Sequence, residues 1–175
     1  MGIRCLLKVP MFFASYLKLR VLKCKDANFY ENPRFDFSNL FILDLANNHQ
    51  GSLEHGLNII KTFSKIARDN EIKAVFKFQF RDLPDFVHKN ERTNPKNKHV
   101  TRFLSTKLDW DQFRLLRDEV KKQGMLAACT PFDEISVEKI ESMGFEIIKV
   151  ASCSAKDFPL LTRIAESGIP VIAST

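Results

Sequence analysis

Two lysines stand inside runs of the sequence that are otherwise apolar. Lys77 interrupts residues 74–79 (AVFKFQ), and Lys149 interrupts residues 145–151 (FEIIKVA). Burying an ammonium group is strongly unfavourable unless the group is paired with an acid or faces a polar pocket. Two lysines at comparable positions in two runs therefore predict a site for an anion. The structural alternative is that each lysine pairs with a neighbouring acid such as Asp44.

Further polar side chains stand in or just after the apolar runs. In folds of the βα-barrel type, active sites lie at the carboxyl ends of the strands, so these side chains are expected to meet at one mouth. Thr130 is as well suited to cap the helix that follows it as to bind a ligand, and His49 is interpreted as a loop histidine bonded to backbone. The set comprises Asp44, Asn47, Asn48, His49, Lys77, Gln79, Cys129, Thr130, Lys149, Ser152, Ser154, Ser174 and Thr175.

From residue 39 onward, short apolar runs alternate with amphipathic segments, which predicts βα units around a parallel sheet. Ser52 and Asp109 are predicted helix N-caps, and Gly144 and Gly168 are predicted helix stops. The polar connection 80–108 is predicted to be a functional loop. The predicted strands are 40–46, 74–79, 125–129, 145–151 and 171–174, and the predicted helices are 53–70, 109–123, 133–143 and 157–167.

The fold class that this pattern predicts is α/β, with about five βα units over residues 39–175 that form the N-terminal portion of a TIM (β/α)8 barrel. A closed barrel of this type needs eight strands, so the barrel is expected to be truncated. Residues 1–38 are interpreted as an N-terminal extension that need not be ordered. The strand residues expected to face the barrel interior are Leu43, Val75, Ala127 and Val150.

Composition and charge narrow the class of protein. The apolar fraction is 45%, enough for a hydrophobic core, and most of the net charge of +6 lies in residues 4–36, so nucleic-acid binding is not expected. Charged residues interrupt the apolar N-terminal segment before it reaches the roughly 20 residues that a membrane span needs, and neither a span nor a signal peptide is expected. The four cysteines lack metal-binding spacing, which favours free thiols in a cytoplasmic protein.

Five segments form an ordered series along the sequence: FILDLANNHQGS (41–52), KFQ (77–79), CTPFDEISVEKIESMG (129–144), IIKVAS (147–152) and, within 159–175, PLL and IAESGIPVIAST. In this order and spacing they resemble successive motifs of the sialic acid (N-acetylneuraminate) synthase family. Any one of the segments is weak evidence, but five in register are specific. The resemblance covers residues 39–175 and implies a TIM-barrel synthase.

That resemblance implies a phosphoenolpyruvate-dependent condensation with N-acetylmannosamine or a related amino sugar, which forms a sialic (nonulosonic) acid. It implies catalytic roles for Lys77, Lys149 and Asp44, and a divalent metal, manganese or magnesium, in the complete enzyme. A complete enzyme of this family is also expected to be a homodimer. The residues implied to bind phosphoenolpyruvate are Lys77, Thr130, Lys149, Ser152 and Ser174, and those implied more weakly to bind the sugar are Asp44, Asn48 and Gln79.

Two positions depart from the family pattern. Asp44 stands where the family usually has Glu, and Ser154 stands where an acid is common, so no proton-transfer role is assigned to it. The family's metal-binding histidines have no counterpart here, so no metal ligand is expected within the chain, and the chain alone is expected to be inactive. Two alternatives stay open: a Schiff-base aldolase that uses Lys149 as its nucleophile, and a non-catalytic barrel fragment.

Overall fold

The strands of this chain form a parallel sheet whose order follows the sequence. The computed structural model describes residues 35–92 and 96–174, and the predicted extension 1–38 lies outside the described residues except for 35–38. Within the described residues the sheet has five strands, all within one compact unit, Phe37–Thr175. The strands are β1 (Phe41–Ala46), β2 (Ala74–Phe80), β3 (Leu126–Pro131), β4 (Ile147–Val150) and β5 (Val171–Ala173).

Helices connect the strands, as the predicted βα pattern requires. Parallel neighbours need such crossovers, because the chain must return to the same end of the sheet before the next strand begins. In the described part of the chain none of the helices is long and apolar enough to cross a membrane. The helices are α1 (Leu53–Asp69), α2 (Leu83–Phe86), α3 (Lys98–Ser105), α4 (Trp110–Lys122), α5 (Glu134–Met143) and α6 (Phe158–Ser167), with short 3-10 turns at Lys89–Glu91 and Ser152–Ser154.

The helix boundaries follow local signals in the sequence. The Ser52 hydroxyl accepts a hydrogen bond from the His55 N–H at 3.1 Å and so caps α1. Asp109 and Gln112 form a reciprocal capping box at the start of α4, with distances of 2.7 and 3.0 Å. Gly144 ends α5 in the left-handed region at φ 68°. The predicted caps at Ser52, Asp109 and Gly144 are confirmed.

Alternation along β2 gives the sheet two chemically different faces. Phe76, Phe78 and Phe80 are buried in the core between the sheet and the helices. Lys77 and Gln79 lie on the opposite face, because successive side chains of a strand point to opposite sides. The helix residues of this core include Ile60, Leu116, Val120, Val137, Ile140 and Leu160.

The prediction of which apolar strand residues face the barrel interior is wrong at three positions. Leu43, Ala127 and Val150 pack against or within the core between sheet and helices. Val75 alone of the four shares a face with Lys77. The alternation of side chains along a strand explains the error. Within one strand, only a residue at an even separation from the lysine shares its face, and on a neighbouring strand the in-register partner does.

The connection between β2 and α4 is more ordered than the predicted loop over residues 80–108. It contains α2, the Lys89–Glu91 turn and α3. Asn97 caps α3, because its side-chain oxygen accepts hydrogen bonds from the backbone N–H groups of His99 and Val100. The connection is therefore a folded excursion at the carboxyl end of β2.

An irregularity near the end of β1 shifts its register against β2. Asp44 pairs with Lys77 and Ala46 pairs with Phe78, which leaves Leu45 as an extra residue in β1. The backbone of Ala46 has a φ of 37°, in the region that favours glycine. Bulges of this kind bend a strand and redirect the side chains beside them. The shift falls just after Asp44, which is still in regular register with Lys77, and the extra residue Leu45 is buried.

Candidate active site

Lys77 and Lys149 lie on the same face of the sheet. Lys77 is in register with Ala128, and Ala128 is in register with Ile147, two residues before Lys149. The Lys77 residue is only 8% exposed, and its Nζ lies 3.0 Å from Asp44 Oδ1. The structure thus brings together the three residues predicted to be catalytic.

The two lysines differ in how their charges are balanced. Lys77 has the acidic partner that the structural alternative requires, whereas Lys149 has no ion pair among the residues the structure describes. Burial lowers the pKa of Lys149 below its usual value, the charge of Lys77 lowers it further, and Cys153 and Asp44 oppose the change. Two ammonium groups with a single carboxylate, which is paired with Lys77, leave an excess of positive charge on this face.

Thr130 adds a buried hydroxyl beside the lysines. It is in register with Gln79 and therefore lies on the Lys77 face. The role of helix cap belongs to Asp133, whose Oδ1 accepts from the Ser136 N–H at 2.7 Å. In the described structure, Thr130 Oγ1 is buried without a hydrogen-bond partner. Buried hydroxyls are nearly always satisfied, so this one is available to a ligand.

The other predicted site residues, at the ends of β4 and β5, differ in how deeply they are buried. Ser152 is exposed at the start of the 3-10 turn that follows β4, and Ser154 at the end of that turn is buried. Ser174 is half-buried, and its backbone N–H donates to the Val150 carbonyl at 3.1 Å. Thr175 lies outside the described residues.

The turn after β1 holds its polar side chains by local bonds. Asn48 Nδ2 donates to the Asp44 carbonyl at 2.8 Å, and the buried His49 accepts at Nδ1 from the Gly51 N–H at 3.1 Å. Burial is the main cause that lowers the pKa of His49 to about 4, His55 adds to the effect, and the Ala46 carbonyl opposes it. His49 is therefore a neutral histidine bonded to backbone, which confirms its interpretation as a loop histidine.

Gln79 is tied to an arginine that the sequence analysis did not select. Arg81 Nη2 donates to Gln79 Oε1 at 3.0 Å. Arg81 stands two residues beyond Gln79 and four beyond Lys77. Continuing the alternation past the predicted end of the strand would have drawn attention to it.

The described residues do not supply a site for the metal that the resemblance implies. Within residues 35–92 and 96–174, no three His, Cys, Asp or Glu side chains are grouped so that they could hold an ion. Cys129 and Cys153 are free thiols, and burial raises the pKa of Cys129 well above its usual value, which keeps it a thiol. The excess of positive charge on the Lys77 face is suited to an anion.

Solved structures share this arrangement of strands and helices. The spore coat polysaccharide biosynthesis protein E of Chromobacterium violaceum is 46% identical, with a TM-score of 0.76 over 78% of this chain and 41% of its own. The N-acetylneuraminic acid (sialic acid) synthetase of Leptospira borgpetersenii, solved with citrate, is 27% identical, with a TM-score of 0.62 over 81% of this chain and 44% of its own. The predicted fold class, about five βα units of a larger barrel, is confirmed.

Sequence relatives point to the same group of enzymes. The N-acetylneuraminate-9-phosphate synthase of Mus musculus is 24% identical over 77% of this chain, and the pseudaminic acid synthase of Campylobacter jejuni is 28% identical over 77%. The chain spans 38% and 40% of the lengths of these two relatives. Residues 65–175, which include Lys77 and Lys149, match the NeuB family. This chain belongs to the NeuB family.

Proposed function

We propose that this chain carries the phosphoenolpyruvate-binding part of a synthase that condenses phosphoenolpyruvate with N-acetylmannosamine or a related amino sugar. The product would be a sialic (nonulosonic) acid. Membership of the NeuB family and the similarity to sialic acid and pseudaminic acid synthases support the reaction class. The substrates are proposed for the whole enzyme, of which this chain covers less than half by comparison with its relatives.

The observation that carries the proposal is the uneven charge of the Lys77 face. Two lysines share that face, one carboxylate, that of Asp44, pairs with Lys77, and the hydroxyl of Thr130 is buried without a partner in the described structure. Phosphoenolpyruvate carries its charges on a phosphate and a carboxylate, and both groups are best held by fixed cations and hydroxyl donors. Lys77, Thr130, Lys149, Ser152 and Ser174 are the residues we assign to it.

In the proposed reaction the protein positions the substrates and neutralises charge. Carbon 3 of phosphoenolpyruvate attacks the aldehyde of the open-chain sugar, water adds at carbon 2, and phosphate leaves. Lys77 and Lys149 would offset the negative charge of the carboxylate and phosphate, so that the enol is bound in one orientation. Asp44, Asn48 and Gln79 at the same mouth are assigned to the sugar. No step is assigned to a metal, because the described residues do not form a metal site.

Calorimetric titration of phosphoenolpyruvate into the chain tests the proposal. Lys77→Ala and Lys149→Ala should each weaken binding by about 2 to 5 kcal/mol, the usual cost of removing one member of a desolvated charged contact. Lys122→Ala, at an exposed position in the last turn of α4, is the matched control and should bind like the wild type. Unchanged affinity in both strand variants would reject the assignment.

One observation favours a second candidate function, a Schiff-base aldolase. The pKa of Lys149 is lowered, as a lysine nucleophile needs, because only the neutral amine attacks a carbonyl. Borohydride reduction in the presence of phosphoenolpyruvate, pyruvate or the amino sugar separates the two functions. If the chain belongs to a synthase, the protein mass should not change on reduction. A stable adduct mapped to Lys149 would establish the aldolase.

The cellular setting is proposed along with the reaction. A cytoplasmic location agrees with the free thiols of Cys129 and Cys153. We also propose that the complete enzyme is a homodimer. Size-exclusion chromatography with light scattering on the complete enzyme would test the dimer.

A further inference from the structure

Arg81 lies at the carboxyl end of β2 among three phenylalanine rings. Its Cζ is 4.1 Å from the ring centroid of Phe132, 4.5 Å from that of Phe103 and 5.9 Å from that of Phe86. The Phe86 ring contacts both of the other rings, at centroid distances of 5.8 and 6.0 Å. We call Phe86, Phe103 and Phe132 the aromatic cage. Contacts between a guanidinium and ring faces hold the group in place and keep it charged.

The charge of Arg81 has no acidic partner in contact with it. In the described part of the chain, Arg81 forms no ion pair, and its Nε is buried without an acceptor. The nearby Asp133 is engaged elsewhere, by the N–H groups of Asp82 and Ser136. Burial is the main cause that lowers the pKa of Arg81 to about 10, so the group stays a cation at neutral pH. A fixed, partly buried cation with unused donors is suited to an anion.

A cleft opens beside Arg81 and is lined by cations without any acid. Its volume is about 30 Å³, and its polar lining residues are Asn47, Gln79, Arg81, Thr106 and Lys107. Asn47 directly follows β1, and Gln79 is the penultimate residue of β2, so the cleft adjoins the mouth where the sugar is proposed to bind. We call it the Arg81 cleft.

We propose that the Arg81 cleft is an oxyanion-binding subsite for a phosphate or carboxylate substituent on the second substrate. The identity of that substrate as an amino sugar rests on the proposed function, while the binding of an oxyanion does not. Arg81 offers planar, charge-assisted N–H donors, Lys107 adds a second charge, and the Asn47 amide adds a neutral donor. The cleft selects an acidic sugar over a neutral one, because a neutral group leaves the Arg81 donors unsatisfied.

Equilibrium dialysis with radiolabelled inorganic phosphate tests the subsite directly. The measurement is made on the chain with Lys149→Ala, which removes one of the two lysines proposed to bind phosphoenolpyruvate. In that background Arg81→Gln should weaken saturable phosphate binding about tenfold or more, as expected for loss of charged hydrogen bonds. The phosphate affinity of Arg81→Lys should lie between those of Arg81→Gln and its parent. Arg114→Gln, at an exposed position on α4, should leave the phosphate affinity unchanged.

Two results would overturn the subsite: the absence of saturable phosphate binding, or equal affinity in the Arg81→Gln variant and its parent. Circular dichroism and melting curves establish that each variant is folded. If Arg81→Gln does not fold, Lys107→Gln decides the question, because Lys107 is exposed and outside the core. Lys107→Gln should weaken phosphate binding about threefold or more if the cleft binds the ion, and should leave it unchanged if it does not.

Competition identifies which oxyanion the cleft takes. N-acetylmannosamine 6-phosphate should displace labelled phosphate in the Lys149→Ala chain if the substituent is a phosphate, and glucuronate should displace it if the substituent is a carboxylate. Neutral N-acetylmannosamine should not compete. Equal competition by neutral and acidic sugars, or none by either, would overturn the substrate assignment. The effect of Lys149→Ala on phosphoenolpyruvate binding reports on the proposed function separately, so either idea can fail alone.

Discussion

Asp44 and Lys77 are register partners on adjacent strands, and their charged atoms lie 3.0 Å apart at the mouth of the sheet. The Lys77 side chain is 11% exposed, whereas that of Asp44 is 58% exposed. The carboxylate therefore faces solvent and any bound ligand, while the ammonium group is largely enclosed. An anion that binds Lys77 must share it with a carboxylate of like charge, which gives Asp44 a measurable influence on anion affinity.

Asp44→Asn should tighten phosphoenolpyruvate binding. Removing one unit of negative charge a few Å from the ligand is worth about 1 kcal/mol or more, the interaction of two charges in a watery setting. Calorimetric titration measures the change. Asp69→Asn breaks an exposed ion pair with Lys65 on α1 and should leave the affinity unchanged. Weaker binding in Asp44→Asn would show that Asp44 helps to hold the ligand.

The pKa of Lys149 should rise when Lys77 is replaced by methionine. The charge of Lys77 is the second cause of the lowered pKa, after burial, and its removal leaves the protonated form of Lys149 less disfavoured. The titration of Lys149 can be followed by NMR of isotope-labelled lysine side chains. Lys122→Met, far along α4, is the control and should not move it. An unchanged pKa in Lys77→Met would mean that the two ammonium groups do not interact.

The folded state should lose stability on acidification because of His49. Its pKa is about 4 in the folded chain, below the value of 6.5 usual for the unfolded one, so the unfolded state binds the proton first as the pH falls. The stability due to His49 is complete above about pH 6.5 and is lost toward pH 4. The loss should be about 3 kcal/mol, the equivalent of the pKa difference.

Urea unfolding at pH 7 and pH 4 measures the His49 effect when the wild type is compared with His49→Asn. Carboxylates titrate in both proteins, so the difference between the two pH dependences isolates the histidine. Asparagine keeps an acceptor for the Gly51 N–H but carries no titratable ring. His99→Asn, at an exposed position on α3, is the control. Identical pH dependences in wild type and His49→Asn would contradict a buried neutral histidine.

Gly56→Ala should destabilise the fold although alanine favours helices. A Cβ at Gly56 would lie 2.8 Å from Leu116 Cδ2 and 3.2 Å from His49 Cβ, and both neighbours are fully buried. The expected loss is about 1 to 2 kcal/mol, since overpacking outweighs a propensity gain of up to about 1 kcal/mol. Asn58→Ala, exposed on α1, should be neutral or slightly stabilising. A Gly56→Ala chain as stable as the wild type in urea would show that α1 and α4 can shift apart.

Local signals predicted the elements well because each signal acts within a few residues. The Ser52 hydroxyl and the Asp109 capping box start α1 and α4 where their side chains reach the first free N–H groups. The two apolar runs that contain Lys77 and Lys149 form β2 and β4, and each of these strands packs one face against helices. The helices of the connection after β2 were missed because α2 and α3 have only 4 and 8 residues, too few for apolar periodicity to stand out.

The candidate site could be predicted only in part, because its pairings depend on register and tertiary contacts. The placement of Lys77 and Lys149 on one face followed from strand alternation. The contact of Asp44 with Lys77 depends on a register that shifts one residue later, at Leu45. The environment of Arg81 depends on rings from α2, α3 and the end of β3, which are distant in sequence.

The aromatic cage has a thermodynamic consequence for any ligand of Arg81. A long side chain that becomes ordered only when a ligand binds loses up to about 2 kcal/mol of rotamer entropy at that moment. Arg81 loses this rotamer entropy when the chain folds, because the rings and Gln79 already hold the guanidinium before a ligand binds. Lys107 is exposed, so its ordering falls on the binding step. Replacing Arg81 should therefore make mainly the enthalpy of ligand binding less favourable. Replacing Lys107 should also make that enthalpy less favourable, but it should make the entropy of binding more favourable, because no lysine side chain is then ordered.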